Sequence, residues 1–177
     1  LYMPNPVDIS FETLHNYKKK SFNHDVFFAM SHGVHRGVLK KGKFDKREEI
    51  IEKLITKTPN IRFDLYGMLN TQPVWADDFI NAISQSKIGL NLSQGNPVKY
   101  YSSDRFSQLV GNGLLVMVDE KTQLQNFFNK DEIIFYNNIN DLSEKIIKYS
   151  IDDYNRKKIA KKGRDKYFKY FNSTQIA

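Results

Sequence analysis

The chain contains no cysteine, which excludes a disulfide scaffold, thiolate zinc sites and cysteine nucleophiles and fits a reducing compartment. Long hydrophobic runs are missing too. The longest, Leu114-Leu115-Val116-Met117-Val118, falls far short of the roughly 20 residues that a membrane span needs. Proline (5) and glycine (9) are sparse among 177 residues, while hydrophobic residues make up 40% and aromatics 14%; collagen-like repeats and wholesale disorder are both incompatible with that composition. The first residues, Leu1-Tyr2-Met3-Pro4-Asn5-Pro6, have no basic stretch followed by an apolar one, so no secretory signal is read there. Also absent are G-x-G-x-x-G, the P-loop pattern, a G-x-S-x-G elbow and a Ser-His-Asp order. The dinucleotide fingerprint, the P-loop and serine-hydrolase chemistry therefore have no support.

What the chain does have is positive charge. Lys plus Arg number 27 against 20 Asp plus Glu, a formal +7, which puts anionic partners first: nucleotide, phosphate, nucleic acid or an acidic membrane face. Eight basic side chains fall between Arg156 and Lys169 with only Asp165 opposing them, so much of the excess belongs to one C-terminal helix. A solvated helix face is the plain reading of that cluster. No RNP-like aromatic pair, zinc-finger spacing or recognition-helix signature accompanies it, so nucleic acid is not an expected partner; peripheral contact with an anionic membrane stays open.

Short apolar, β-rich runs alternate with segments of helical period. Residues 25–30, 61–66, 87–92, 114–118 and 132–136 read as strands. Asp45 can cap a helix with Glu48 at the capping-box position and Ile50, Ile51, Leu54 and Ile55 as its apolar stripe, stopped by Thr58-Pro59. Segments 74–86, 105–110, 122–128, 141–149 and 154–171 repeat the helical theme, with Trp75, Phe79 and Ile83 read as core. This alternation predicts an α/β fold, doubly wound, with a mostly parallel sheet of five or six strands and helices on both faces. Ligands of such folds sit beyond the carboxyl ends of the strands, which directs attention to four segments.

Ser31-His32-Gly33-Val34-His35-Arg36-Gly37 is a glycine-bearing loop whose amides and planar guanidinium suit a diphosphate; a flexible basic surface loop is the alternative. The others are Gly67 to Gln72, Asn91 to Arg105, and Asp119-Glu120-Lys121. In the third, Ser102-Ser103-Asp104-Arg105 opens a helix, and free N–H groups at a helix N-terminus attract anions. Arg105 stands in the first turn, where a cation opposes the macrodipole by about 0.3–1 kcal/mol, so either an anionic ligand or Asp104 offsets it. The four histidines, His15, His24, His32 and His35, have no ligand spacing, so no metal site is expected.

Three stretches resemble a known family, the C-terminal donor-binding domain of group 1 (family 4-like) GT-B glycosyltransferases. Tyr2-Met3-Pro4-Asn5-Pro6-Val7-Asp8 is similar to the Pro-Asn-x-Val-Asp segment that leads into that domain. Lys87 to Ser93 is similar to the strand and loop before the donor site, and Arg105-Phe106-Ser107-Gln108-Leu109-Val110-Gly111-Asn112-Gly113 to the family's R-x-F-E-x-x-A-x-G run. The resemblance implies one nucleotide-sugar-binding domain over residues 1–177, with 1–22 leading in from an N-terminal acceptor-binding domain and 152–177 forming a C-terminal helix.

It further implies a retaining, metal-independent transferase that moves sugar from a nucleotide-sugar to an acceptor hydroxyl in cell-surface glycan synthesis. The nucleotide-sugar is then a substrate, and no cofactor is expected. A cytoplasmic location, peripheral to the inner face of the membrane, goes with that role. Arg105 and Arg36 become the catalytic pair on the donor diphosphate, and Ser31, His32, Gly33, Gly67, Asn91, Ser93, Ser103, Asp104 and Gln108 border the donor. The family's E-x7-E pair falls on Tyr100 and Gln108, so both carboxylates are replaced. Gln108 can still hydrogen-bond a ribose hydroxyl, without the strength of a charged acceptor; the alternatives are a catalytically silent nucleotide-binding domain of the same fold and a basic nucleic-acid or acidic-surface binding module.

Overall fold

The computed structural model describes residues 4–31 and 45–176. Five strands, β1 (His24–Ala29), β2 (Phe63–Tyr66), β3 (Ser86–Asn91), β4 (Leu115–Asp119) and β5 (Ile134–Tyr136), form one sheet in the order β2-β1-β3-β4-β5. Every pairing is parallel. The strands read as near-continuous apolar runs because both faces are covered. Val26, Phe28 and Met30 enter one hydrophobic cluster with Ile51 and Leu54 of α1 (Lys46–Lys57) and Leu142 and Ile146 of α4 (Ile139–Ile151). Phe27 and Ala29 enter the opposite cluster with Ile83 of α2 (Ala76–Ser84) and Phe106 and Leu109 of α3 (Asp104–Gly111).

The helix α5 (Asp153–Tyr170) serves both faces, since Ile159 and Ala160 join the first cluster and Tyr167 the second. The expected single helix over 152–177 is interrupted at Phe171 and followed by the four-residue α6 (Ser173–Ile176). Segment 122–128, expected to be a helix, is instead two 3₁₀ turns, Glu120–Thr122 and Leu124–Asn126, separated by Gln123 at φ +55°. That left-handed residue breaks the helical hydrogen-bond run. Trp75 is the clearest correction. It is 55% exposed rather than core, because it is the extended N-cap of α2 and lies outside the helical rotation that buries Ile83 and half-buries Phe79.

Two local features fix the chain within and at the edge of the sheet. Gly89 lies in mid-strand against α3, where an added Cβ would sit 2.8 Å from Leu109 Cδ1; the missing side chain lets α3 pack close over β3. At the other end of the sheet, Asp25 is buried and accepts from Arg62 Nε at 3.1 Å and pairs with Lys87 Nζ at 2.9 Å. Burial alone would raise the Asp25 pKa, but the two cations outweigh it and hold it at about 2, against an ordinary 3.8. A carboxylate depressed in the fold contributes stability above its unfolded value, and that contribution is lost as pH falls through the folded one. Melting temperature is therefore expected to drop between about pH 4 and pH 2, and Asp25→Asn to flatten that limb while lowering stability at neutral pH. Thermal melts across the acid range check this.

The basic character of α5 is largely answered within the fold. Lys157 pairs with Asp153, Lys161 with Asp165, Lys162 with Asp131 and Lys166 with Glu132. Among the described residues no helix is long and apolar enough to cross a membrane.

Candidate functional site at the strand switch point

The sheet order reverses direction between β1 and β3, which in doubly wound folds opens a crevice at the carboxyl edge. Arg105, the second residue of α3, lies across it. Its Nη1 donates to the Ala29 carbonyl at the end of β1 (2.7 Å), and its Nη2 to the Leu92 carbonyl just past β3 (2.6 Å). The guanidinium also lies 4.7 Å above the Phe28 ring. The sequence posed a cation at the wrong end of a helix, and strand-end carbonyls supply part of the answer. Asp104, the other expected offset, is exposed and accepts from Asn5 Nδ2 instead.

Arg105 nonetheless keeps unused capacity. Among the described residues its buried Nε–H has no hydrogen-bond partner and no carboxylate forms an ion pair with it. Burial, followed by the nearby Arg47 charge, lowers its pKa to about 10, so it stays protonated at neutral pH. Arg47 is itself neutralised by Asp45, Nη2 to Oδ2 at 2.6 Å. The amides of Asp104 and Arg105, at the start of α3, donate to no described residue, and the buried Ser102 hydroxyl beside them likewise has no described partner. Cation, free amides and hydroxyl thus gather at one helix start, a combination suited to an anion.

The remaining expected residues divide into three groups. Asn91, at the end of β3, accepts from Ser103 Oγ at 3.1 Å and lies 3.5 Å from Arg105 Nη2, while Ser103 caps α3 through the Phe106 amide. These two join Arg105. Gln108 is half-buried one turn further along the same helix, and Ser93 is half-buried just beyond Leu92. Ser31 is exposed immediately after β1. Gly67, by contrast, serves the fold: at φ +75° it turns the chain after β2, and a Cβ there would lie 1.6 Å from the Met30 carbonyl oxygen. His32, Gly33 and Arg36 lie outside the described residues, and so does the Arg36 partnership with Arg105.

Tyr100, at the first replaced glutamate, stands at φ +61°, with its amide on the Thr122 carbonyl and its hydroxyl accepting from Asn126. Two tyrosines went unread in the sequence, Tyr101 and Tyr136. Both interact electrostatically with Arg105, and Tyr136, buried at the end of β5, has its pKa raised by burial and then by Asp119. An aromatic closing a buried strand gives no signal of its own in the sequence; only its place at a carboxyl edge does.

Solved structures with this arrangement exist. Over 98% of the chain, sucrose-phosphate synthase from Thermosynechococcus elongatus matches with a TM-score of 0.57 and 14% identity. TarM matches over 99% at 0.61 and 14%, and a glycosyltransferase from Rickettsia africae ESF-5 over 97% at 0.64 and 12%. At such identity these likenesses speak for the fold alone. The chain spans 47%, 36% and 53% of those three chains, about half or less. No curated protein sequence matches it.

A sequence model of the family described as glycosyl transferase-like matches residues 46–177, a span that takes in α3, Arg105, Gln108 and both strands that follow. With the all-parallel doubly wound sheet, that match bears out the resemblance to a group 1 glycosyltransferase domain: the chain belongs to the glycosyl transferase-like family.

Proposed function

We propose that the chain is the donor-binding half of a glycosyltransferase, which grips a nucleotide-sugar by its diphosphate at the β1/β3 crevice while the sugar passes to an acceptor hydroxyl. The carrying observation is Arg105: a guanidinium pinned by strand-end carbonyls, with a buried Nε–H unclaimed and no carboxylate partner among the described residues. Such a cation weighs on the fold until an anion arrives. Departure of a nucleoside diphosphate builds negative charge, and a fixed cation beside free helix amides stabilises that charge without having to reorganise. Gln108, on the same helix face one turn on, offers a neutral donor and acceptor for sugar hydroxyls.

Retention at the anomeric carbon, chemistry carried by Arg105 rather than by a metal, a role in cell-surface glycan synthesis and a cytoplasmic setting belong to the same proposal. So does an acceptor-binding domain on the N-terminal side. A polyanion-binding module draws less support, since the lysines at 157, 161, 162 and 166 are already paired with carboxylates.

The test is a thermal-shift panel of UDP, GDP and ADP. At a hundredfold excess over Kd, a ligand of the native state raises the melting temperature of a domain this size by about 5–10 °C. A flat panel at millimolar nucleotide would refute the donor-site reading.

A further inference from the structure

A groove of about 720 Å³ lies between α2 and the outer strand β2, one strand away from Arg105. That size accommodates a small organic ligand. Its chemistry differs in sign from the rest of the molecule. The chain carries 27 Lys and Arg, yet among the described residues none lines this groove, a lining that does not favour phosphate or another anion.

It does offer hydroxyl-binding groups around an aromatic face. Trp75 is 55% exposed at one end. Along α2, Asp78 and Asn81 are exposed and their side chains make no hydrogen bond to described residues, and Gln85 follows one turn later. On the β2 side, Tyr66 hydrogen-bonds Asp64, and burial raises the Asp64 pKa even though His24 stands 3.6 Å away. Because Asp64 is engaged by these neighbours, Asp78 is left as the one open carboxylate, too little to make a cation trap.

The position of Trp75 is also held at a cost. Ala76, the next residue, sits at φ +48°, a left-handed conformation worth about 1–2 kcal/mol of strain for a residue with a Cβ.

From these features we propose that the α2/β2 groove binds a neutral oligosaccharide, with Trp75 stacking on a sugar face and Asp78, Asn81 and Gln85 taking its hydroxyls. An exposed aromatic face flanked by amides and an acid matches a pyranose, which presents C–H groups on its faces and hydroxyls around its edge. The site is independent of the diphosphate reading, since it shares no residue with the Arg105 crevice.

Trp75 is the only tryptophan in the chain, so its fluorescence reports on this groove alone. The experiment titrates the 177-residue protein with neutral tri- to hexasaccharides of glucose, mannose, galactose and N-acetylglucosamine, up to about 10 mM to cover millimolar affinities. At least one is expected to shift or quench indole emission saturably. Asn81→Ala and Asp78→Asn, both at exposed positions, are expected to weaken that binding about tenfold, and Trp75→Ala at least as much by calorimetry, the scale of losing one stacking or hydroxyl contact. Circular dichroism confirms that the variants fold. No response to any glycan overturns the proposal. So does a saturable response to a lysine-rich peptide in place of the glycans, or displacement of the glycan by UDP, which would make the groove a cation site or part of the nucleotide site. Loss of UDP stabilisation with glycan binding intact would count against the donor reading only.

Discussion

Arg105→Ala is expected to weaken UDP or GDP binding by about 1–3 kcal/mol, the scale of hydrogen bonds made to a charged group, which is roughly 5–150-fold in Kd. The competing reading makes Arg105 a strut that happens to bridge β1 and β3 through Ala29 and Leu92. Stability separates the two. A strut lost from a buried edge leaves two carbonyls unpaired and lowers the melting temperature. A cation whose pKa is lowered to about 10 by burial acts in the opposite direction, because its charged form is disfavoured in the fold. That burden is present in full below the folded pKa and is relieved only as pH rises past it. Replacing Arg105 with Gln removes the charge while keeping donors near the same carbonyls. Diphosphate binding should then collapse with little change in melting temperature at pH 7. Arg105→Lys keeps the charge but cannot span both carbonyls, and should retain part of the affinity. Isothermal calorimetry with UDP and melts on the same samples decide it; an unchanged Kd in Arg105→Ala would make the arginine structural.

How far the sequence could be read follows from what kind of signal each feature leaves. The strands were legible because burial on both faces writes continuous apolar runs, as in Val26-Phe27-Phe28-Ala29-Met30 and Leu114 to Val118. The ends of α1 were legible too, since Asp45 caps its first turn and Thr58 closes it. Arg105 could be singled out because it conflicts with the helix dipole, a local contradiction of the sort that marks function. Its partners could not. Backbone carbonyls at positions 29 and 92 carry no side-chain identity, so only the topology that brings β1 beside β3 reveals them. Trp75 was misread for a related reason. Its spacing from Phe79 and Ile83 is helical, but periodicity is blind to a helix that begins one residue later, at Ala76. The same blindness covers segment 122–128, where one left-handed residue, Gln123, turns an apolar stripe into two short turns.

Gly67→Ala should be the most damaging single methyl in the described fold, about 3–5 kcal/mol, because two independent penalties coincide. The first is conformational, for φ is +75° and a Cβ disfavours that region. The second is steric and larger: the new methyl would meet the Met30 carbonyl oxygen at 1.6 Å, a backbone atom with no rotamer to yield. Met30 is itself fixed, its amide donating to the Tyr66 carbonyl at 3.0 Å, while the Gly67 amide closes its turn on Thr71 at 3.0 Å. Relief must therefore come by parting the ends of β1 and β2. Gly95→Ala isolates the first penalty. It has a similar φ of +77°, yet an added Cβ meets nothing within 4 Å, so only about 1 kcal/mol is expected there. Urea unfolding of the two variants gives the difference directly, and equal losses would remove the steric argument. The displacement also reaches the site, because Ala29, next to Met30, carries the carbonyl that holds Arg105 Nη1. Any Gly67→Ala protein that still folds should bind UDP more weakly than Gly95→Ala, although its own guanidinium is intact.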